Sequence, residues 1–310
     1  MRYGIPYKGS KNSIAEWIVD NLPRADTFCD LFFGGGAVTH RALYDGKYKH
    51  FIINDIDARL PQLFLDCIAG KYTTQNHTEW ISREEFNARK DQDAFIALIW
   101  SFGNNGRDYL YGADIEEMKH AFHVACFEND ISMLLEQGIK VTQSPETDVY
   151  QRYLDYSRQI KNFKHNMLEN FTRLQALEHL QGLQSLQGAQ GLQSLQGYGG
   201  DYADVSIPEG ALIYCDIPYR GTICGKYDGF DHERFYEWAE AQDNIYISEY
   251  EMPDVFMPYA WIEKQVLSSA TGNDSWAKEK LFTNRRTYEK LSDFDKFRIQ
   301  CNFAEQMTLF

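Results

Sequence analysis

Residues 27–38, TFCDLFFGGGAV, join a strand-like apolar run to a glycine-rich turn, and residues 39–46, THRALYDG, continue as a helix. Glycines in such a turn let the backbone reverse tightly and bring its N–H groups close to a ligand. The turn lacks the Lys-Ser/Thr pair of a nucleoside-triphosphate loop, and its glycine spacing does not fit the dinucleotide fingerprint. It therefore favours a nucleoside ligand without a phosphate chain.

A second strand is predicted over residues 50–57, HFIINDID, with a helix over residues 58–70. Asp55 follows the first strand by about twenty residues, where an acid in doubly wound sheets accepts hydrogen bonds from ribose hydroxyls. The alternative is an acid that caps the following helix, a role that Asp57 can also fill. The two strand ends together favour nucleoside binding.

A third strand end carries the most unusual residues, IYCDIPYRGT, at positions 213–222. Asp216 is predicted to point into the crevice where such sheets bind ligands. Pro218 restricts Ile217 to extended backbone and so fixes the direction of the Ile217 carbonyl, and Tyr219 offers a flat face. Two acceptors and a stacking surface suit a planar base with an exocyclic amino group. The alternative is a proline-containing strand exit with a packed tyrosine.

The order of the segments predicts an α/β fold with a parallel sheet covered by helices. Further strand-like runs lie at residues 244–250 and 278–284, whereas residues 73–175 are more polar and mostly helical. We therefore expect one catalytic domain formed by residues 1–72 and 200–310, with a mostly helical insert over residues 73–199. The insert ends in a Leu/Gln/Gly repeat at residues 174–197, interpreted as a helix that decays into a variable tether.

Composition narrows the functional class. The 310 residues are 44% apolar and carry a formal net charge of −14, which argues against indiscriminate coating of nucleic acid but permits a local basic face. The N-terminus has no signal-peptide pattern and no window approaches roughly 18 apolar residues, so a soluble, cytoplasmic protein is expected. Six scattered cysteines are interpreted as reduced core residues. His120 and His123 lack zinc-type partners, so no metal is expected.

As an ordered set, five segments resemble the Dam-like (D12 class) family of DNA adenine-N6 methyltransferases. YKGSK (residues 7–11) is similar to the family's Trp-x-Gly-Gly-Lys motif, and DLFFGGGAV (30–38) to its cofactor loop. NDID (54–57) lies at the ribose acid, DIPY (216–219) at the Asp-Pro-Pro-Tyr motif, and AKEKLFTN (277–284) at a late family strand. The resemblance covers residues 1–70 and 200–290, and Tyr7, Ser10 and Ile217 depart from the family pattern.

The resemblance implies a Rossmann-like, S-adenosylmethionine-dependent methyltransferase sheet with a target-recognition insert, acting on a flipped-out adenine. It implies the catalytic residues Asp216, Ile217, Pro218 and Tyr219. The residues it implies for the cofactor are Tyr7, Lys11, Asp30, Phe32, Gly34, Gly36, Asp55 and Asp216. Cys215 precedes Asp216 and is expected to point into the core without a chemical role.

The insert is expected to contact double-stranded DNA. SFGNNGRDYLYG (residues 101–112) resembles a family loop that approaches DNA, which makes Asn104, Asn105 and Arg107 candidate contacts, because arginine and asparagine read guanine and adenine edges. Lys161 and Lys164 are expected to contact phosphates, which sets register without reading sequence. We expect a monomer in a bacterial or phage-infected cell.

Three alternatives stay open from the sequence. Cytosine-N4 methylation uses a similar tetrad that usually begins with serine, so Asp216 favours adenine. Protein-glutamine methylation uses an Asn-Pro-Pro-Tyr tetrad, which the YKGSK motif and the large insert argue against. The third alternative is a DNA-binding module that keeps the cofactor but has lost turnover through the change at Ile217.

Overall fold

The computed structural model of the chain describes residues 2–74, 76–220, 229–267, 274–297 and 299, without the side chains of residues 164, 166–171 and 264–277. The last two residues of IYCDIPYRGT, and Cys224 and Cys301, lie outside the described residues. The chain divides into two compact units. The sheet unit comprises Lys11–Gln62 and Gly188–Phe310, and the helical unit comprises Arg2–Ser10 and Leu63–Gln187. The predicted domain boundaries at 72/73 and 199/200 stay predictions.

The described part of the sheet unit contains a seven-stranded sheet in the order β3-β2-β1-β4-β5-β7-β6. Strands β3, β2, β1, β4 and β5 run parallel, and β7 pairs antiparallel with both β5 and β6. The strands are β1 (Thr27–Asp30), β2 (His50–Asp55), β3 (Ser194–Gly199), β4 (Leu212–Asp216), β5 (Ile245–Glu249), β6 (Phe256–Leu267) and β7 (Asp274–Asn284). The predicted α/β fold with a parallel sheet is confirmed for five of the described strands, and the antiparallel pairing of β7 with β5 and β6 was not predicted.

The α-helices connect these strands and build the helical unit. In chain order they are α1 (Ala15–Asn21), α2 (Ala37–Asp45), α3 (Arg59–Ile68), α4 (Arg83–Arg89), α5 (Ala94–Ile99), α6 (Glu116–Phe127), α7 (Ser132–Glu136), α8 (Val149–Gln159), α9 (Phe163–Gly182), α10 (His232–Ala241) and α11 (Arg285–Lys290). Helices α2 and α3 follow β1 and β2, as the β-α-β-α order predicts. Every described helix is too short or too polar to span a bilayer.

Strands β1, β2, β4 and β5 are almost wholly buried, as is usual for parallel strands covered by helices, whereas β3 at the edge of the sheet is mostly exposed. Neighbouring strands place Cys29, Ile213 and Ile245 in register, and all three belong to one core cluster. Cys215, beside Asp216, is fully buried in the same cluster, as predicted. The cysteines that the structure describes are buried free thiols, and burial raises the pKa of Cys29 to about 12. They act as small core residues.

The Leu/Gln/Gly repeat folds in two ways, and the expectation of a variable tether is wrong for its second half. The heptapeptide GLQSLQG occurs at residues 182–188 and again at residues 191–197. Residues Leu183–Gly188 form a 3₁₀ helix that buries Leu183 and Leu186, since three residues per turn keep a three-residue period on one face. The second copy enters β3, which pairs parallel with β2.

The helical unit has its own core, where α6, α7, α8 and the start of α9 bury Phe122, Leu134, Tyr156 and Phe163. The segment Arg2–Ser10 joins this unit, and His179 Nε2 on α9 donates to the carbonyl of Gly4 at 2.7 Å. The predicted helical character of the middle region is therefore confirmed, and a further segment from the N-terminus belongs to it.

Candidate active site at the carboxyl ends of the strands

Four parallel strands, β1, β2, β4 and β5, each end on a carboxylate. These residues are Asp30, Asp55, Asp216 and Glu249. Since the carboxyl ends of parallel strands lie at one edge of the sheet, the acids share the edge at which open α/β sheets bind ligands. Three of them were predicted site residues. Glu249 was missed, although the sequence shows the same apolar run closing on an acid.

The glycine turn, residues 31–36, is held against the end of β2 by its backbone. Gly34 N–H donates to Asp55 Oδ2 at 2.8 Å, and the Phe33 N–H donates to the Asn54 carbonyl at 2.9 Å. Gly34 and Gly36 have φ values of 50° and 67°, in the left-handed region that favours glycine. Asp55, buried at the base of the turn, therefore fixes the turn through a hydrogen bond.

Asp30 lies under the turn and is 2% exposed. Its Oδ2 accepts a hydrogen bond from the Thr39 hydroxyl of α2 at 2.7 Å. Burial, followed by the neighbouring carboxylates of Asp216 and Asp55, raises the pKa of Asp30 to about 7, against the lowering effect of the Thr39 bond. The side chain thus ties β1 to α2 through its hydrogen bond with Thr39.

The other residues predicted for the cofactor are placed differently. The Phe32 ring packs among Tyr202, Phe230 and Phe235, at centroid distances of 5.2, 5.7 and 5.6 Å. Tyr7 belongs to the helical unit, where its carbonyl accepts from Ser10 N–H in a turn with Gly9 at φ 84°. Ile56, which was not predicted, follows Asp55 and is 61% exposed.

Lys11 binds the acid at the end of β4. Its Nζ lies 2.7 Å from Asp216 Oδ1 and 3.7 Å from Glu279 Oε1, and 4.5 Å from the centroid of the Tyr219 ring. Lys11 and Glu279 are 8% and 0% exposed, whereas Asp216 is 21% exposed. We call Lys11, Asp216, Tyr219 and Glu279 the charged cluster. In this structure Lys11 contacts the predicted catalytic acid.

The cluster keeps its lysine charged. Burial by itself lowers the pKa of Lys11, but the carboxylates of Asp216 and Glu279 outweigh it, so the net shift raises the pKa above its ordinary value. A buried ion pair is retained only where the geometry is good and both partners are satisfied. Two carboxylates on one ammonium leave the cluster with net negative charge.

Two further acidic or aromatic neighbours complete this edge. Burial, followed by the charges of Asp216 and Glu279, raises the pKa of Glu249 to about 7. Tyr250, the next residue, packs its ring edge-on to Tyr219 with centroids 4.6 Å apart. The hydroxyl of Tyr219 donates to Glu279. The tyrosine ring thus contacts Tyr250 and its hydroxyl is bound, while the residue as a whole stays partly exposed.

The backbone of the tetrad is fixed from the opposite side. Ile217 is 2% exposed, and its side chain belongs to the core cluster of the sheet. The Pro218 carbonyl accepts a hydrogen bond from His232 Nε2 at 2.8 Å, at the start of α10. The isoleucine in place of proline thereby gains core packing, and the chain after β4 leaves the sheet in a defined direction.

A comparison with known protein families identifies the family of the chain. The D12 class N6 adenine-specific DNA methyltransferase profile matches residues 7–172, more than half of the chain. The chain belongs to this family. Its activity is methylation of the N6 amino group of adenine in DNA. The match begins at Tyr7 and ends before the tetrad at Asp216. No curated protein shows significant similarity to the chain.

The family is adenine-specific and enzymatic, which argues against cytosine-N4 methylation and protein-glutamine methylation. Methyltransferases in general use S-adenosylmethionine, and DNA is the substrate of this family. In the described part of the chain no group of three or more His, Cys, Asp or Glu residues is placed to hold a metal ion. His120 instead stacks on Trp80, with ring centroids 4.5 Å apart.

The loop predicted to approach DNA is a closed turn in the helical unit of the methyltransferase. Asn104 Nδ2 donates to the Leu98 carbonyl at 2.9 Å, and Asn105 Oδ1 accepts from the N–H groups of Arg107 and Asp108. Both asparagine side chains therefore shape the loop. Arg107 is exposed and contacts Asp108 at 3.0 Å.

The remaining predicted DNA contacts are less defined. Lys161 is exposed in the turn before α9, and the side chain of Lys164 lies outside the described residues. Phe102, which sequence reasoning missed, is 69% exposed in the same loop as Arg107. The sequence offers no signal for it beyond its place in the glycine- and asparagine-rich loop, since the exposure of an aromatic residue is known only from the structure.

Proposed function

We propose that this methyltransferase holds S-adenosylmethionine at the glycine turn and methylates an adenine that has been flipped out of double-stranded DNA into the edge formed by β1, β4 and β5. The observation that carries the proposal is the charged cluster: a partly exposed Asp216, held by a buried lysine, stands beside Tyr219, a residue that is itself partly exposed. This combination supplies an acceptor and a stacking face together.

The donor set fits a cationic nucleoside. The edge gathers the carboxyl groups of Asp30, Asp55, Asp216, Glu249 and Glu279, and the ion pairs described for them go to Lys11. Their crowding adds to burial in raising the pKa of Asp30 and Glu249 to about 7, which a bound cation would relieve. Such an edge repels phosphates and favours a sulfonium. When bound, S-adenosylmethionine supplies an electrophilic methyl group.

The residues that would hold this cofactor are those of the first two strand ends. The glycine turn offers backbone N–H groups, Asp55 offers a carboxylate for ribose hydroxyls, and the exposed Ile56 offers an apolar surface for the purine. Lys11 would contribute to cofactor binding through Asp216, because its ammonium group holds the Asp216 carboxylate in place. Tyr7 stays a proposed cofactor contact.

The target adenine would be held by the tetrad. An adenine inside a duplex cannot reach the strand ends, so flipping must precede chemistry, at a cost of a few kcal/mol. Stacking on Tyr219 returns about 1–3 kcal/mol per base. Asp216 and the Ile217 carbonyl accept hydrogen bonds from the amino group and so orient its lone pair. Since the amine loses its proton after attack, the site requires no strongly basic group.

We propose that the helical unit contacts the DNA around the target. Its loop presents the side chain of Arg107, which is 69% exposed, and the residue Phe102, which is also 69% exposed. The side chains of Asn104 and Asn105 fix the backbone of this loop. Arginine reads guanine edges, and apolar side chains wedge between base steps. Lys161 and Lys164 are proposed phosphate contacts.

The test is transfer of labelled methyl groups. Duplex DNA is incubated with the protein and methyl-labelled S-adenosylmethionine, digested to nucleosides and separated by chromatography. We expect the label in N6-methyladenine, and sequencing of the methylated positions then gives the target site. Label in cytosine or in protein contradicts the proposal, and bound cofactor without transferred label identifies an inert DNA-binding relative.

A further inference from the structure

We propose that Glu279 is a positioning residue for methyl transfer: from outside the tetrad, it sets the place of both Lys11 and Tyr219, and through them the acceptor and the stacking face. The inference rests on the proposed roles of Asp216 and Tyr219. It adds a residue from β7, which neither the tetrad nor the glycine turn contains.

Burial makes Glu279 unusual for its strand. It lies between Lys278, which is exposed, and Lys280, which is half-buried, and is itself 0% exposed. Alternation along a strand turns the middle residue to the opposite face, here towards the site. A carboxylate removed from water is costly unless it is paired and hydrogen-bonded. A fully buried glutamate at this place therefore points to a specific set of partners.

Those partners are Tyr219, the last residue of the tetrad, and Lys11, which binds Asp216, the first residue of the tetrad. Glu279 Oε1 accepts the Tyr219 hydroxyl and lies 3.7 Å from Lys11 Nζ, which binds Asp216 at 2.7 Å. One oxygen thus connects the residue proposed to stack on adenine with the lysine that holds the residue proposed to bind its amine. Loss of the carboxylate would release both at once.

The arrangement also explains the position of Lys11 over the tyrosine. The ammonium lies 4.5 Å from the ring centroid of Tyr219, within cation–π range, and between two carboxylates. With Glu279 neutral, Lys11 would be attracted to Asp216 alone. The groups that face Lys11 are Asp216, Glu279, Tyr219 and Tyr250.

Glu279→Gln tests the inference because it keeps the size of the side chain and removes its charge. The matched control is Glu263→Gln, on the neighbouring strand of the same β6–β7 ribbon, where an exposed glutamate pairs with Lys278 at 3.8 Å. We expect the single-turnover methylation rate of Glu279→Gln to fall at least about tenfold, because small misplacements in a site cost large factors in rate. The KM for S-adenosylmethionine and the melting temperature should stay close to those of the control.

Tyr219→Phe and the double variant separate positioning from general damage. If the tyrosine hydroxyl acts through Glu279, the rate of the double variant should equal that of Glu279→Gln, instead of showing the product of the two losses. The alkaline limb of the pH–rate profile should also shift to lower pH in Glu279→Gln, since removal of a carboxylate lowers the pKa of Lys11. A merely structural role moves neither readout.

The outcomes are distinct. A Glu279→Gln rate within twofold of the control, or fully multiplicative losses, overturns the inference. If Glu279→Gln does not fold, Tyr219→Phe decides, and an unchanged rate in that variant overturns it. If the unmodified protein places no label in N6-methyladenine, the proposed function fails and this inference fails with it, whereas label in the unmodified protein together with an unchanged Glu279→Gln rate overturns the inference alone.

Discussion

The glycine turn and the charged cluster both use acids at the carboxyl ends of strands in one sheet, and they use them in opposite ways. In the turn, Asp30 and Asp55 accept hydrogen bonds from a hydroxyl and from backbone N–H groups. In the cluster, Asp216 binds a buried ammonium. The same residue type thus fixes backbone shape in one region and carries charge in the other, because its partners differ. Substitutions that remove charge or alter shape should separate the two regions.

Asp216→Asn should have the largest effect, since it removes the charge from the region that depends on it. We expect turnover to fall by about 10²–10³-fold or more, as for loss of an oriented group in a site. The fold should survive, because Lys11 keeps Glu279 at 3.7 Å and the asparagine keeps the size of the aspartate. Single-turnover methylation, measured with circular dichroism on the same sample, checks both.

The control for this prediction is Asp243→Asn, an exposed acid that pairs with Arg286 and Lys290 outside the site. Exposed pairs of this kind contribute about 0–1 kcal/mol, so its turnover should be unchanged. Near-normal turnover of Asp216→Asn would show that the negative charge at the end of β4 is not needed for transfer. The contrast between the two regions would then lose its functional meaning.

Gly36→Ala changes shape without changing charge, so it should affect the glycine turn. A Cβ at Gly36 would lie 2.1 Å from the Phe33 ring, at a φ of 67°. Gly210→Ala is the matched control, with φ 75° and no heavy atom within 4 Å of the added carbon. Both variants incur a backbone cost of about 1–2 kcal/mol, and only Gly36→Ala forces the turn to move.

We expect Gly36→Ala to raise the dissociation constant for S-adenosylmethionine by about tenfold or more, a free-energy change of about 1.4 kcal/mol. Gly210→Ala should lower the melting temperature while leaving cofactor binding unchanged. Isothermal titration of both variants decides. Equal cofactor affinity in the two would mean that Phe33 moves away at little cost and that the turn does not need its observed shape.

The sequence predicts much of the sheet because β1, β2, β4 and β5 are apolar runs that close on acids. It does not predict β3, since GLQSLQG forms a 3₁₀ helix at one place and enters a strand at the other. Local propensity is equal in the two copies, so tertiary pairing with β2 decides, including a 2.9 Å hydrogen bond between His50 and Ser194. Strand β6 was missed because Pro258 and the charged Glu263 interrupt its pattern.

The sequence predicts which residues belong to the site, but it does not predict which of them contact each other. Lys11 and Asp216 are expected from the ordered motifs, yet their ion pair joins positions far apart in the chain. Glu279 stands in a segment that resembles a family strand, but its flanking lysines give the segment a solvent-exposed character. Only the structure of the strand, in which side chains alternate between its two faces, shows that Glu279 is buried while Lys278 is exposed. Long-range pairing therefore supplies what local patterns lack.

Asp30→Asn should have the smallest effect on activity and a distinct effect on pH dependence. The pKa of Asp30 rises from 3.8 to about 7 on folding, first through burial. Between about pH 4 and pH 7 the native protein therefore holds a proton that the unfolded chain has released, and the free energy of unfolding falls as pH rises through this window. Each pKa unit corresponds to about 1.4 kcal/mol.

Asparagine cannot titrate but can still accept the Thr39 hydroxyl, so the variant should lose less stability than the unmodified protein between pH 5 and pH 7. Burial also raises the pKa of Glu249 to about 7, so the variant should keep part of the decrease in the free energy of unfolding with pH. Urea unfolding across this range measures the difference. If the free energy of unfolding changes equally with pH in the two proteins, Asp30 is ionised in the native state. It would then carry charge in the way proposed for Asp216, and the distinction between the two strand ends would fail.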